Sequence, residues 1–166
     1  ATVGRSYKVG DYSITGGSGK AEVEIFAEVG EGKYPIAENG EFTPTKSGEY
    51  TITYVARDYA GITAETSYKL NVEFGNEPIF EEVTTFPANF VSTFEQFLPK
   101  LRAYDYKNTE WVNTEIFVKE GDGEERKLGG NSMKPSESDS PYDITVVYRA
   151  NGKSGTSEIS FSRTCY

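Results

Sequence analysis

Apolar and polar positions alternate along residues 63–73, TAETSYKLNVE. Ala64, Thr66, Tyr68, Leu70 and Val72 fall on one side, and Glu65, Ser67, Lys69, Asn71 and Glu73 on the other. Period two over this length predicts a half-buried strand with one wet face. Just upstream, Tyr50, Ile52, Tyr54 and Ala56 share one face while Thr51, Thr53, Val55 and Arg57 share the other. Asp58-Tyr59-Ala60-Gly61 supplies a turn, so the two segments predict a hairpin. Earlier, AEVEIFAEV sets Val23, Ile25, Ala27 and Val29 against Glu22, Glu24 and Glu28. Its Glu and Ala content invites a helix, but the apolar set recurs every second residue, which predicts a strand ended by Gly30-Glu31-Gly32.

The same pattern returns later in the chain. Glu24-Ile25-Phe26 recurs as Glu115-Ile116-Phe117, Gly30-Glu31-Gly32 as Gly121-Asp122-Gly123, and Phe42-Thr43-Pro44 as Met133-Lys134-Pro135, all at a shift of 91. After one inserted residue, Tyr50, Ile52, Thr53, Val55 and Arg57 answer to Tyr142, Ile144, Thr145, Val147 and Arg149. A longer turn, Ala150 to Gly155, stands in for Asp58 to Gly61, and Phe161 to Cys165 answers to Tyr68 to Val72. The sequence therefore predicts two copies of one β module, residues 1–74 and 75–166. FGNEPIF, Phe74 to Phe80, is the linker, short enough to limit freedom between the modules.

Each copy holds roughly seven short strands in under about 100 residues, the size and rhythm of an immunoglobulin-like sandwich. The expected fold is all-β: two tandem Ig-like antiparallel β-sandwiches joined by a short linker. Gly48-Glu49-Tyr50 and Pro141-Tyr142 suit a tyrosine corner, in which a strand-opening Tyr returns its hydroxyl to the backbone. Ile52 and Ile144 then stand where antibody domains keep their second cysteine, and apolar packing replaces the bridge.

Composition narrows the chemistry. The 166 residues carry 36% hydrophobic and 14% aromatic content, enough for a core, and no apolar run approaches the roughly 20 residues that cross a bilayer. The opening residues ATVGRSYKVGDYS lack the apolar stretch of a signal peptide, so a mature chain or an excised piece is expected. A formal charge of −9 disfavours nucleic acid and anionic membrane surfaces as partners. Histidine is absent, which removes Ser-His-Asp and Cys-His catalysis and imidazole-based metal sites. The single cysteine, Cys165, forms no internal disulfide and occupies the core-facing slot of Val72 in the repeat.

The segment GEFTPTKSGEYTITYVARDYAGITAETSYKLNV resembles the C-terminal half of bacterial Ig-like modules found in tandem in secreted and surface proteins. Phe42, Pro44, Gly48, Tyr50, Ala56, Asp58 and Gly61 match that pattern in the first copy. The second departs from it, with Met133 for the Phe and Arg149-Ala150-Asn151 for Arg-Asp-x. The resemblance implies an extracellular or cell-surface, non-catalytic part of a larger bacterial protein, serving as spacer, stalk or adhesive module. The alternative is a carbohydrate- or protein-binding module, accessory to a polysaccharide-degrading enzyme.

The sharpest binding candidate is AYDYKNTEW, where Tyr104, Tyr106 and Trp111 stand among Asp105, Asn108 and Glu110. Aromatic faces stack on sugar rings while carboxylates and amides take the hydroxyls. Against this stands a core reading, since sandwiches of this type bury one Trp, and the core reading is the expectation for the rings. Asp58, Asp105 and Asp122 fall in predicted turns, but calcium needs about six or more oxygen ligands and no Asp-x-Asp-x-Asp run exists. No metal or cofactor is expected. No pair of acids stands out for glycoside hydrolysis. A Lys-to-Asn self-stitch between Lys8 and Asn71 is disfavoured because alternation leaves Asn71 on the wet face. SESDSP, residues 136–141, reads as a solvated loop.

Overall fold

Alternating strands need partners at their edges and a second layer over their apolar face. The computed structural model describes residues 1–17 and 19–166 and supplies both. Among the described residues the regular structure is all strand, and the chain divides into two units, Ala1–Gly75 and Asn76–Tyr166.

The first unit contains β1 (Tyr7–Lys8), β2 (Glu22–Val29), β3 (Gly32–Pro35), β4 (Glu41–Phe42), β5 (Gly48–Arg57) and β6 (Thr63–Val72). An antiparallel sheet runs β3-β2-β5-β6, and β1 pairs with β4 as a separate ribbon. Rings join the two layers. Tyr7 meets Phe42 edge-on at 5.9 Å, Phe42 lies 6.2 Å from Tyr50, and the Tyr54 hydroxyl donates across the layers to the Gly10 carbonyl. Burial and then the neighbouring Tyr68 hydroxyl push the Tyr54 phenol up to about 12, so it remains a donor through the neutral range. Ala27, Tyr50, Ile52, Tyr54 and Val72 of the inward set are buried as alternation predicts, and Val23, Ile25, Tyr68 and Leu70 are half-buried. Ala64 and Thr66, expected on the same face, are exposed because that end of β6 has no layer over it.

The second unit contains β7 (Ile79–Phe80), β8 (Gln96–Phe97), β9 (Arg102–Asp105), β10 (Glu110–Glu120), β11 (Arg126–Lys127), β12 (Ser132–Met133), β13 (Tyr142–Asn151) and β14 (Thr156–Cys165). Its large sheet runs β14-β13-β10-β9-β7, with β11 also on β10, and β8 pairs with β12. Strand β10 is shared along its length. Glu110 to Asn113 pair with β9, and Thr114 to Glu120 pair with β13.

The repeat is visible in the backbone. Tyr7 opposite Phe42 returns as Gln96 opposite Met133. Gly30 and Gly121 end their strands with φ of 56° and 55°, a left-handed turn that favours glycine. Thr2 pairs in parallel with Glu73, and Phe90 with Cys165. Both tyrosine corners form: Tyr50 donates to the Lys46 carbonyl at 2.8 Å and Tyr142 reaches that of Ser136 at 2.9 Å. Ile52, Ile144 and Cys165 are buried.

Two expectations are corrected. Ala27 opposes Ile52, but Val118, its counterpart at a shift of 91, opposes Val146 and not Ile144. Tyr54 reaches the Gly10 carbonyl and Tyr148 the Pro99 carbonyl. Strand β13 thus carries two extra residues between its corner Tyr and its layer-bridging Tyr, so the partners assigned to Ile52 through Arg57 move up by two. The linker is also shorter than Phe74 to Phe80. Pro78 is fully buried, Ile79–Phe80 form β7, and the Ser157 hydroxyl donates to the Pro78 carbonyl at 2.6 Å.

Candidate functional site

The hairpin of β9 and β10 sorts its side chains by alternation. Ala103, Asp105 and Val112 point inward and are buried, while Tyr104 and Trp111 lie on the outer face. The ladder sets Tyr104 opposite Trp111 and Arg102 opposite Asn113, and β7 adds Ile79 opposite Tyr104. Period-two geometry turns these pairs into two adjacent outward rows. Tyr104 meets Trp111 edge-on, centroids 5.0 Å apart, and Tyr106 at 4.8 Å.

The core reading of Trp111 is therefore corrected: the indole is 53% exposed. The inner face beneath the hairpin is already filled by Phe80, Ala103, Val112 and Ala150, and Trp111 is out of phase with Val112. Counting back 91 residues from Tyr104, Tyr106 and Trp111 gives Ser13, Thr15 and Lys20. The inward pairs Ile25/Ile116 and Ala27/Val118 of the matched strands stay apolar in both copies, whereas these three rings do not, and that asymmetry is compatible with a surface position. Strand β9 likewise has no counterpart among the described residues of the first unit, where residues 11–14 belong to no strand.

Arg102 completes the face and sequence reasoning missed it, although alternation from Tyr104 places it on the same side. Its guanidinium lies 3.9 Å from the Trp111 ring centroid, a cation–π contact. Glu81 steadies it, 3.5 Å from the guanidinium and accepting the Arg102 backbone N–H at 2.9 Å.

The turn below is locked by Asp105, which is 3% exposed. Its carboxylate accepts the Asn108 backbone N–H at 3.1 Å and the Asn108 carboxamide at 2.7 Å, and that carboxamide also donates to Ser154 at 3.0 Å. Burial acts to raise the Asp105 pKa, but the bonds from Asn108 and the Lys107 backbone outweigh it and hold the carboxyl below its ordinary value. Thr109 closes the turn at φ 51°, a left-handed conformation rare for a β-branched residue. Tyr106 is thus carried on a fixed loop.

The other candidates are not brought together. Asp58 holds the Ile62 N–H at 2.9 Å in the first unit, whereas Asp105 and Asp122 sit at the two ends of β10. Among the described residues no three acids or thiols cluster as a metal site. Lys8 pairs across from Glu41 in the ribbon, while Asn71 is exposed on β6 with its carboxamide 3.0 Å from Glu73.

No protein-family model and no curated protein matches the chain. Among solved structures, it is similar to the extracellular domain of protocadherin GammaB4, at 18% identity and a TM-score of 0.34, covering 86% of this chain and 25% of that one. It is also similar to fibronectin(III)-like modules of Clostridium thermocellum CbhA, at 14% identity and a TM-score of 0.31, covering 99% and 86%. A third likeness is to three N-terminal domains of the outer capsid protein Hoc of bacteriophage RB49, at 15% identity and a TM-score of 0.30, covering 87% and 56%. The chain spans a quarter of the solved protocadherin extracellular chain and just over half of the solved three-domain piece of the capsid protein. The all-β class rests on the strands of the chain itself.

Proposed function

We propose that this chain is a non-catalytic pair of β-sandwich modules from a secreted or surface-exposed bacterial protein, a spacer whose second unit carries an adhesive face for carbohydrate. The observation that carries the reading is the outward row of Ile79, Tyr104 and Trp111, with an indole that is 53% exposed although the rings around it are fixed. A single exposed aromatic residue is ordinary. Three rings held edge-to-face, over a turn locked by a buried carboxylate, form a surface that loses little freedom when a sugar stacks on it. The absence of histidine supports the non-catalytic part of the reading.

The test is a glycan array probed with the intact chain, followed by titration of Trp111 fluorescence with any hit. Saturable quenching is expected, with Trp111→Ala weakening binding by about thirtyfold or more while the circular dichroism spectrum is kept. An array with no hit on either neutral or acidic glycans defeats the adhesive reading.

A further inference from the structure

Beside the aromatic face, among the described residues, Thr114 to Ile116 of β10 lie on this edge between the Asn113–Arg102 pair with β9 and the Phe117–Lys127 pair with β11. They are tied there by bonds from the Thr114 hydroxyl to the Leu101 carbonyl at 2.6 Å and from the Leu128 N–H to the Ile116 carbonyl at 2.8 Å. The surface there forms a groove of about 700 Å³. Its lining is basic. Lys100, Arg102 and Lys127 stand against one carboxylate, Glu115, in a chain whose formal charge is −9. Glu115 lies 3.2 Å from Lys127, and Arg102 is shared with Glu81, which is outside the groove. Among the described residues no ion pair engages Lys100, which is exposed. A polyanion approaching this chain is repelled over most of its surface, so a local excess of cations in a concave site beside stacked rings selects for negative charge.

Arg102 and Asn113 belong to both features: they form the row next to Tyr104 and Trp111, and they line the groove. We propose that the aromatic face and the groove are one site for an acidic glycan. The rings stack on sugar faces, and Lys100, Arg102 and Lys127 take carboxylate or sulfate groups. This inference rests on the carbohydrate reading of the aromatic face and adds the chemical class of its ligand. The guanidinium sits between the indole and the groove, where its planar fork matches a carboxylate or sulfate on a sugar already stacked on Trp111.

The experiment titrates Trp111 fluorescence with oligogalacturonate, with a sulfated galactan oligosaccharide, and with neutral cello- and xylo-oligosaccharides of the same length. It uses the intact chain and a Lys100→Gln/Lys127→Gln variant, which leaves the rings and Arg102 in place. At least one acidic series is expected to bind roughly tenfold or more tightly than the neutral ones, to weaken roughly tenfold in the double variant, and to weaken as salt is raised. A response to the carboxylated series alone assigns uronic acids, and one to the sulfated series alone assigns sulfate esters; either supports the inference. Neutral oligosaccharides binding as tightly as acidic ones, with no effect of the double variant, overturn it and leave the aromatic face standing as a carbohydrate site. Silence from every series overturns both readings.

Discussion

At the residue scale, the second tyrosine corner is more than a backbone contact, because Glu120 has been drawn into it. The carboxylate accepts the Ser136 N–H at 2.8 Å and the Tyr142 hydroxyl at 3.0 Å, with Arg126 at 3.3 Å. Tyr142 has one proton to share between Glu120 and the Ser136 carbonyl, while the Ser136 N–H and the Arg126 guanidinium are fixed donors that bind the carboxylate best when it is ionised. Burial acts to raise the Glu120 pKa, but the bonds from Ser136, Tyr142 and Arg126 outweigh it and leave it below the ordinary value of 4.5. Above that value the carboxylate is ionised in both folded and unfolded chains, and its stabilisation is complete. As pH falls, the unfolded chain takes up the proton first, and the stabilisation drains away until the folded chain is protonated too. Thermal melts between pH 7 and about 3 should therefore show the second unit losing stability below about 4.5. Glu120→Gln should be less stable at neutral pH, on the order of 1 kcal/mol, and should show a flatter acid slope. Parallel slopes in the two proteins would remove Glu120 from this role. The Tyr was legible in the sequence as a corner, but Glu120 was not, because nothing in a strand pattern says which acid at a strand end faces a phenol.

At the element scale, alternation was enough to place the long strands and their faces, and it failed where its own period hides an error. The two extra residues in β13 return every side chain to the face it had, so a repeat aligned two residues out reads as apolar-in and polar-out just as well. Only the partner across the ladder, Val146 and not Ile144 opposite Val118, reveals the slip. The short strands β7, β8, β11 and β12, of two residues each, lie below the length at which period two can be seen. Strand β7 was concealed further because Gly, Asn and Pro around it read as a linker. What seats it is the turn between β13 and β14. A Cβ on Gly155 would strike the Asn76 carbonyl oxygen, and one on Gly152 would come within 2.7 Å of the Pro78 ring. Gly155→Ala should push Asn76 to Pro78 out of place and destabilise the second unit by about 1–3 kcal/mol, as overpacking against backbone does. Hydrogen exchange should locate the loss at the Ile79 amide, along with that of Glu81, which bonds to the Arg102 carbonyl. Unchanged protection there would mean that the turn does not seat β7.

At the scale of the whole molecule, each unit has its own core, and the two are unequally furnished. The first buries Val3, Val9, Ala27, Ile36, Tyr50, Ile52, Tyr54 and Val72. The second packs a longer set around Phe90, Leu98, Ile116, Val118, Ile144, Val146 and Tyr148, and extends it under β9 and β10 with Phe80, Ala103, Val112 and Ala150. Residues 63–67 of β6 are exposed on both faces, so the end of the first hairpin contributes strand pairing without burial. A domain of about 75 residues sits near the lower limit at which buried area offsets chain entropy, so the smaller core matters. Expressed separately, residues 1–75 and 76–166 should each melt cooperatively, with the first fragment melting at the lower temperature. A third fragment that begins at Glu81 tests where the second unit starts. It lacks Pro78 and Phe80, whose ring packs against Ala103, Val112 and Ala150. It should be less stable than the fragment that begins at Asn76 by an amount in keeping with loss of the buried Pro78 and the half-buried Phe80, roughly 1–3 kcal/mol, and melt at a lower temperature. If the two versions melt together, β7 is an appendage and the aromatic face it borders has lost one of its supports. If the longer one is the more stable, the segment that reads as a linker is the edge strand on which that face is built.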